Sequence, residues 1–118
     1  MPKINSGRIG EDAAVNFLAK KGYKICCRNF RGRYGEIDII ADDRGCAVFI
    51  EVKTRRHAVY GRPSEYVNSA KQERIIKTAL EYTGDIDADM RFDVIEILYD
   101  DYYGEVLIKE INHIKNAF

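Results

Sequence analysis

The 118-residue sequence contains 19 Lys or Arg, 19 Asp or Glu and 46% hydrophobic residues. This composition excludes a disordered chain, and the lack of an apolar run near the roughly 20 residues of a transmembrane helix excludes a helical membrane protein. The neutral total argues against an indiscriminate polyanion binder. However, residues 1–35 carry a net charge of +6 and residues 53–77 carry +5, whereas residues 36–52 carry −4 and residues 78–118 carry −7. Such opposing blocks can hide a nucleic-acid surface within a neutral sum.

Length and cysteine usage predict one cytoplasmic domain. The chain is long enough for a single core and has neither an internal repeat nor a linker-like segment, so we expect one domain over residues 1–118. The three cysteines lack Cys-x-x-Cys spacing, and residues 1–7 lack the apolar core of a signal peptide. These features favour a reducing compartment, and with only two histidines a Cys/His zinc site is not expected.

The first half of the chain predicts one helix followed by three strands. Apolar residues recur at helical spacing from about residue 7 to residue 21, with Ser6 as the cap and Gly22 as the left-handed residue beyond the end. Runs rich in Ile, Val, Phe and Tyr then predict antiparallel strands over residues 23–30, 36–41 and 46–54.

The second half predicts a basic loop, a second helix and two more strands. Residues 55–64 are polar and basic and predict an exposed loop. Ser69 and Gln72 have the spacing of a capping box, and Gly84 marks the end of the helix that follows.

Residues 91–99 and 105–111 predict the last strands, which gives the order αβββαββ. Because a helix separates the third strand from the fourth, that pair can be a parallel crossover. We therefore expect an α/β (α+β) fold with a central mixed β-sheet flanked by helices.

Acidic residues face each other across the predicted hairpin of the second and third strands. Alternation places Ile37, Ile39 and Ala41 on one face of the second strand. A turn of two residues (44–45) or four residues (43–46) pairs positions whose numbers add to 89. That register sets Asp38 opposite Glu51 and Glu36 opposite Lys53.

Two carboxylates across a ladder repel each other, so a shared proton or a divalent cation must offset the repulsion. Their hard oxygen atoms favour Mg²⁺ or Mn²⁺. Lys53 lies on the same face as Glu51 and can reach a phosphate or a water at such a metal, which suits phosphodiester hydrolysis. The alternative is a surface ion pair between Glu36 and Lys53, with Asp38 and Glu51 solvated.

Glu11 lies at the edge of the apolar stripe of the first helix, so it either faces the sheet or is solvated. Basic side chains form a separate set of candidate phosphate contacts, with Tyr34 and Tyr60 as candidate stacking groups. The alternative for each is a solvated basic face. The basic candidates are Arg28, Arg31, Arg33, the segment from Lys53 to Arg62 with Arg55 and Arg56, and Lys71, Arg74 and Lys77 on the second helix.

Several longer motifs contain these residues. They are Gly7-x-x-Gly10-Glu11, Arg28-Asn29-Phe30-Arg31, Gly35-Glu36-Ile37-Asp38-Ile39-Ile40, Phe49-Ile50-Glu51-Val52-Lys53-Thr54-Arg55, Gly61, Lys71-Gln72 and Arg91-Phe92-Asp93-Val94. Through them nearly the whole sequence resembles the bacterial YraN family, a member of the restriction-endonuclease-like PD-(D/E)xK nuclease superfamily. It is more distantly similar to the archaeal Holliday-junction resolvases.

The resemblance implies a restriction-endonuclease-like αβββαβ core and a metal-dependent active site. In that site Asp38 and Glu51 are metal ligands, and the carbonyl of Val52 is a third. Lys53 resembles the catalytic lysine, and Glu11 resembles a helix-borne acid near the metal or its water.

Two further positions matter to the resemblance. Gln72 resembles an accessory polar residue of the second helix and joins the candidate nucleic-acid contacts. Ile37 stands where the superfamily name expects Pro, a difference that removes no ligand.

These observations favour a Mg²⁺- or Mn²⁺-dependent endonuclease acting on DNA. Branched or structured DNA is an analogy with the resolvases at the level of the fold. The alternatives are a nucleic-acid-binding protein with little or no cleavage of its own and a small scaffold protein. No membrane partner is expected, and a homodimer through an edge strand or through residues 111–118 is left open.

Overall fold

The order αβββαββ is confirmed in a computed structural model, which describes residues 5–57 and 67–118. Neither helix of this described part combines the length and the hydropathy of a membrane span. Residues 55 and 56 of the predicted basic loop belong to the third strand, and residues 58–64 lie outside the described residues. The elements are α1 Ser6–Lys20, β1 Lys24–Arg31, β2 Glu36–Asp43, β3 Cys46–Arg56, α2 Ser69–Thr83, β4 Met90–Tyr102 and β5 Glu105–Ile114.

The five strands form one mixed sheet in the order β1-β2-β3-β4-β5. β3 and β4 are parallel, as predicted from the helix between them, and the other three pairs are antiparallel. The fold is α+β and is consistent with a restriction-endonuclease-like core.

Both helices begin at the residue predicted as the cap, and the observed cap lies one residue earlier. Asn5 caps α1, and Asn68 caps α2 by accepting a hydrogen bond of 2.9 Å from the backbone N–H of Lys71. The prediction of Ser6 and Ser69 as caps is therefore wrong. In both places an Asn precedes the Ser, and the Asn side chain is at least as good an N-cap.

Each face of the sheet is covered by one helix. Ala14 and Leu18 of α1 pack on one face with Ile39, Val48 and Ile50. Ile75 and Ala79 of α2 pack on the other face with Ile37, Ile40 and Phe49. The candidate active-site residues lie at one end of the β2–β3 pair, in the sheet that the two helices cover.

The predicted register of the hairpin is confirmed only up to Ile39. The ladder runs from the pair Asp43 and Cys46 to the pair Ile39 and Ile50, with position numbers that add to 89. Beyond it no pairing of Asp38 with Glu51 is present in the ladder. Ile37 packs with α2 whereas Ile39 packs with α1, so the prediction that they share a face is wrong.

The change of face in β2 has a counterpart in β1. Arg28 pairs with Ile39 and Phe30 pairs with Ile37, so Asn29 lies across from Asp38. Asn29 has a φ of 54°, a left-handed conformation that Asn tolerates better than most residues. At the Asn29–Asp38 position the side chains of both strands therefore change from one face of the sheet to the other. The regular alternation of faces along each strand is interrupted there.

A close approach between α1 and β3 fixes the position of the helix. A Cβ atom added to Gly10 would lie within 2.1 Å of Oγ1 of Thr54. Because real Cβ atoms do not come so close, only glycine allows α1 to lie this near the sheet. The approach brings Glu11, the next residue, against β1.

Gly10→Ala is therefore expected to lower the free energy of unfolding by about 1–3 kcal/mol through overpacking. Gly7→Ala is the matched control in the same helix, because its nearest neighbouring atom is 3.6 Å from the added Cβ. Urea unfolding of both variants measures the effect. Equal stabilities of the two variants would show that the Gly10–Thr54 approach does not constrain α1.

Candidate active site

Asp38 lies where β2 parts from β3. Its Oδ2 accepts a hydrogen bond of 2.8 Å from the backbone N–H of Val52, just past the last ladder pair. The Asp38 carboxylate thus accepts a hydrogen bond from a β3 N–H that lies beyond the ladder between β2 and β3. This contact holds Asp38 beside the Glu51–Lys53 segment without the direct cross-strand pairing that the sequence predicted.

The surroundings of Asp38 raise the pKa of its carboxyl group to about 7. Burial is the main cause, and the negative charge of Glu51 is the next. The Val52 N–H and the positive charge of Lys71 act in the opposite direction, while Glu11 raises the pKa further. Three carboxylates therefore influence one another at this point, and the site favours either a proton or a cation.

Glu51 points toward α2 and is paired with Lys71. The Lys71 ammonium lies 2.5 Å from Oε1 of Glu51, and the Glu51 side chain is only 11% exposed. An ammonium group, rather than a shared proton, is thus the partner of Glu51 in this structure. The sequence analysis placed Lys71 among the phosphate contacts and missed this pairing.

Glu11 faces the sheet rather than solvent, since its side chain is 14% exposed. Its Oε1 accepts hydrogen bonds from Nε and Nη2 of Arg28, at 3.1 and 2.9 Å, and from Nδ2 of Asn29 at 2.9 Å. Arg28 also binds Asp12 at 2.6 Å. The side chains of Arg28 and Asn29 therefore hold the Glu11 side chain in place near Asp38, a role that the sequence did not indicate.

Lys53 lies two residues after Glu51 on an unbroken part of β3, where the parallel pairing with β4 runs from residue 47 to residue 56. The two side chains therefore share a face. Lys53 is half-buried and forms no ion pair with any residue of 5–57 or 67–118. The role of Lys53 toward a bound ligand stays a prediction.

The donor set fits a hard divalent cation held by few protein ligands. Within residues 5–57 and 67–118, no three Asp, Glu, His or Cys side chains converge closely enough to hold a metal. Glu11 is engaged by Arg28 and Asn29, which leaves Asp38 and Glu51 as the carboxylate pair. Mg²⁺ is commonly bound by one or two carboxylates, several waters and a substrate phosphate, so this pair meets its needs.

The structure divides the predicted phosphate contacts into two groups. Most of the basic side chains are already paired with carboxylates. The pairs are Arg28 with Glu11 and Asp12, Arg31 with Glu36 at 3.1 Å, Arg55 with Glu96 at 3.4 Å, Arg56 with Asp101 at 3.2 Å, and Lys71 with Glu51. Because Glu36 binds Arg31, the alternative of a Glu36–Lys53 surface pair is wrong.

Arg33 and Arg74 form the second group, exposed and without an ion pair in the described part of the chain. Arg33, Tyr34 and Lys77 line a shallow cavity of about 460 Å³ between the β1–β2 turn and α2. Tyr34 is 44% exposed, and the Lys77 ammonium lies 5.5 Å from the centre of its ring. Tyr34 is exposed on this surface, and its stacking role stays a prediction, while Tyr60 lies outside the described residues.

Gln72 is engaged by the backbone just before α2. Its side-chain amide donates a hydrogen bond of 3.0 Å to the carbonyl oxygen of Val67, just before α2. Gln72 therefore ties the start of α2 to the preceding segment, and its contact with nucleic acid stays a prediction.

A second polar cluster surrounds Asp93 on β4 and has a structural role. Asp93 is fully buried and accepts hydrogen bonds from Arg91, from the backbone N–H of Asn116 and from Nε2 of His113 at 2.8 Å. Burial raises the pKa of Asp93, but these hydrogen bonds outweigh it and lower the pKa overall. Because these contacts use both Arg91 and Asp93 inside the fold, packing and hydrogen bonding account for the Arg91-Phe92-Asp93-Val94 motif.

Comparison with known proteins gives consistent matches along the chain. The family model described as "Uncharacterised protein family UPF0102" matches residues 10–97. A UPF0102 protein of Chlorobium phaeobacteroides is 48% identical over 95% of this chain and 92% of its own length. UPF0102 proteins of Caldicellulosiruptor bescii and Caldanaerobacter subterraneus are 49% identical over 95% of both chains and 41% identical over 100% of both chains.

Proposed function

This chain belongs to the uncharacterised protein family UPF0102, which is the YraN family, and we propose that it is a metal-dependent endonuclease that hydrolyses phosphodiester bonds in DNA. One observation carries the proposal. Asp38, held by the Val52 N–H, is largely removed from solvent beside Glu51 and Glu11, and this burial, with the negative charges of Glu51 and Glu11, raises the pKa of its carboxyl group to about 7. Such clustering of carboxylates is costly for the fold and is typical of functional sites.

The proposed metal ligands are the carboxylates of Asp38 and Glu51 and the carbonyl oxygen of Val52. When bound, Mg²⁺ or Mn²⁺ supplies the polarisation of the phosphate and lowers the pKa of a bound water. The chain itself holds the ligands in place, because the Asp38–Val52 hydrogen bond and the β3–β4 pairing fix the two ligand segments relative to each other.

Lys53 and Glu11 act on either side of that pair in the proposed mechanism. The Lys53 ammonium carries a positive charge to the oxygen atoms of the reacting phosphate, where negative charge increases in the transition state. Glu11, held in place by the hydrogen bonds that it accepts from Arg28 and Asn29, orients the attacking water.

The proposed path for DNA runs along the α2 face past Arg33, Tyr34 and Arg74. Exposed Arg side chains without a carboxylate partner are suited to phosphate contacts, and an exposed Tyr ring can stack on a base. The substrate could be branched or otherwise structured, by analogy with the resolvases at the level of the fold only.

Affinity for a four-way DNA junction is expected to fall steeply with salt if this path is correct. Each lost phosphate contact reduces the slope of log affinity against log salt by about 0.7–0.9. We therefore expect the Arg33→Ala, Arg74→Ala double variant to have a slope lower by about 1.5 when measured by fluorescence anisotropy. A flat salt dependence of the wild type would contradict the proposed path.

A second candidate function is nucleic-acid binding with little or no cleavage. It is favoured by the pairing of Glu51 with Lys71 and by the absence, within the described residues, of three side chains that could hold a metal by themselves. In this alternative the carboxylates keep their places, but the protein recognises a structure without cutting it.

A cleavage assay separates the two functions. Linear duplex, single-stranded, flap and four-way-junction DNA and a structured RNA are incubated with the protein and Mg²⁺ or Mn²⁺. We expect metal-dependent cleavage of at least one DNA substrate, its loss in Glu51→Gln and its persistence in Glu73→Gln, a control on the exposed side of α2. Tight binding without any cleavage would support the second candidate and contradict the first.

A further inference from the structure

We propose that Lys71 is the built-in counterion of the carboxylate pair, and that a divalent cation displaces it from Glu51 and releases it to bind a phosphate of the nucleic acid. This inference rests on the proposed metal site at Asp38 and Glu51. It assigns to Lys71 a positioning role that couples metal binding to nucleic-acid binding.

The contact between Lys71 and Glu51 places an ammonium group where a metal ion would bind. Lys71 Nζ lies 2.5 Å from Oε1 of Glu51, whose side chain is 11% exposed. A metal ion bound by Glu51 and Asp38 needs the same region of negative charge. The ammonium group repels a divalent cation that approaches the same carboxylate, so binding of the metal favours movement of Lys71 away from Glu51.

The position of Lys71 in α2 is unfavourable for a lysine unless a carboxylate is nearby. Lys71 lies in the first turn of the helix, three residues after the Asn68 cap, and no acidic residue is present in that turn. The helix dipole disfavours a positive charge at this end. The helix alone therefore gives no reason for a lysine here, whereas the carboxylate of Glu51 does.

The side chain of Lys71 can move while its backbone stays in place. The backbone of Lys71 is fixed, because its N–H donates to Oδ1 of Asn68 and because Ile75 anchors α2 on the sheet. The side chain is 38% exposed, and four methylene groups allow its ammonium to move by several Å without any change of the fold. Release from Glu51 leaves it on the same side of α2 as Arg74, one helical turn away.

A consequence is that metal and nucleic acid promote each other's binding. The metal frees a phosphate contact, and a phosphate that holds Lys71 away from Glu51 opens the metal site. Thermodynamic reciprocity requires both effects to have the same size. In the metal-free protein Lys71 stays on Glu51, so nucleic acid is bound with one contact fewer.

A Mn²⁺ titration by calorimetry tests the displacement without any cleavage. We expect Lys71→Met to bind Mn²⁺ about tenfold more tightly than the wild type, within the usual range of coupling between sites. Lys77→Met is the matched control: it removes the same charge from the same helix, but its lysine is paired with Glu73. Its Mn²⁺ affinity is expected to stay within twofold of the wild type.

The outcomes distinguish this inference from the proposed metal site. Equal Mn²⁺ affinities of the wild type and both variants would overturn the role of Lys71 and leave the metal site intact. Equal tightening in both lysine variants would attribute the effect to net charge and would also overturn it. If neither the wild type nor Lys71→Met binds Mn²⁺, the metal site itself is wrong.

Binding of a DNA junction tests the release of Lys71. The measurement is made in a Lys53→Met background, which prevents cleavage. Mg²⁺ is expected to raise junction affinity several-fold when Lys71 is present and clearly less when Lys71→Met is added. An equal effect of Mg²⁺ in both proteins would show that the displaced lysine does not reach the nucleic acid.

Discussion

Replacing Lys53 by methionine is expected to lower metal-dependent cleavage by about three orders of magnitude, while Mn²⁺ affinity stays within twofold of the wild type. Loss of one preorganised positive or hydrogen-bonding group at a reacting centre commonly costs 10²–10³ in rate. Lys53 forms no ion pair within residues 5–57 and 67–118, so no carboxylate of that part of the chain loses a partner in this variant. Single-turnover cleavage and Mn²⁺ calorimetry measure the two effects separately.

The choice of methionine keeps the packing of the half-buried stem of Lys53. The free energy of unfolding is therefore expected to change by less than about 0.5 kcal/mol. Cleavage at the wild-type rate would show that Lys53 is not a catalytic residue. A joint loss of cleavage, Mn²⁺ binding and stability would instead mean that Lys53 is needed for the structure of β3.

Replacing Asp38 by asparagine is expected to stabilise the metal-free protein at pH 8 by about 2–4 kcal/mol. The pKa of Asp38 rises from 3.8 to about 7 in the folded protein, mainly through burial and the charge of Glu51. One pKa unit corresponds to about 1.4 kcal/mol, so the ionised carboxylate destabilises the fold. Asparagine removes that charge and keeps an oxygen that can accept the hydrogen bond from Val52.

The stabilisation of the metal-free protein by Asp38→Asn is expected to increase with pH. Because the folded pKa lies above the unfolded one, the cost of an ionised Asp38 is fully present above pH 7. It diminishes as the pH falls from 7 to 4, where the group is protonated in both states. Urea unfolding in the presence of EDTA at pH 4, 6 and 8 should therefore show the advantage of Asp38→Asn shrinking toward acid pH.

Asp87→Asn is the control, since Asp87 is exposed in the turn after α2. Its stability relative to the wild type should not follow this trend. A destabilised Asp38→Asn protein at pH 8, or an advantage that is the same at all three pH values, would contradict the strained carboxylate site. Saturating Mg²⁺ should reverse the order, because the cation stabilises only a protein that retains the Asp38 ligand.

Sequence periodicity predicted the hairpin up to the point where the active-site candidates begin. The turn at Arg44 and Gly45 and the apolar alternation of β3 fixed the register from Asp43 to Ile39, and the structure agrees. The prediction failed at Asp38. Ile37 continues the apolar pattern, so nothing in the pattern reveals that it packs on the opposite face.

The cause of that failure is a backbone feature of a neighbouring strand. The left-handed φ of Asn29 turns β1 over, and β2 follows it at the paired position. A single Asn in an extended run is a weak signal, since Asn also occurs in ordinary turns and strands. Local deviation from the pattern at a candidate active site agrees with the general finding that functional sites break local rules.

The residue types of the candidate site were predictable, but the partners of those residues were not. Charge and spacing indicated Asp38, Glu51 and Lys53 and left the orientation of Glu11 open, and the resemblance gave Glu11 and Lys53 their roles. The contacts of Lys71 with Glu51 and of Asn29 with Glu11 join residues 20 and 18 positions apart. Such pairs depend on how α1 and α2 lie on the sheet, which no local pattern specifies.

Binding of Mn²⁺ tests the central claim, a metal site formed by Asp38 and Glu51, more directly than any other measurement. Electron paramagnetic resonance of free Mn²⁺ gives the stoichiometry and affinity for the wild type, Asp38→Asn, Glu51→Gln and the exposed control Glu73→Gln. We expect about one Mn²⁺ per chain for the wild type and the control, and at least tenfold weaker binding for the two site variants. Equal binding by all four proteins would contradict the account.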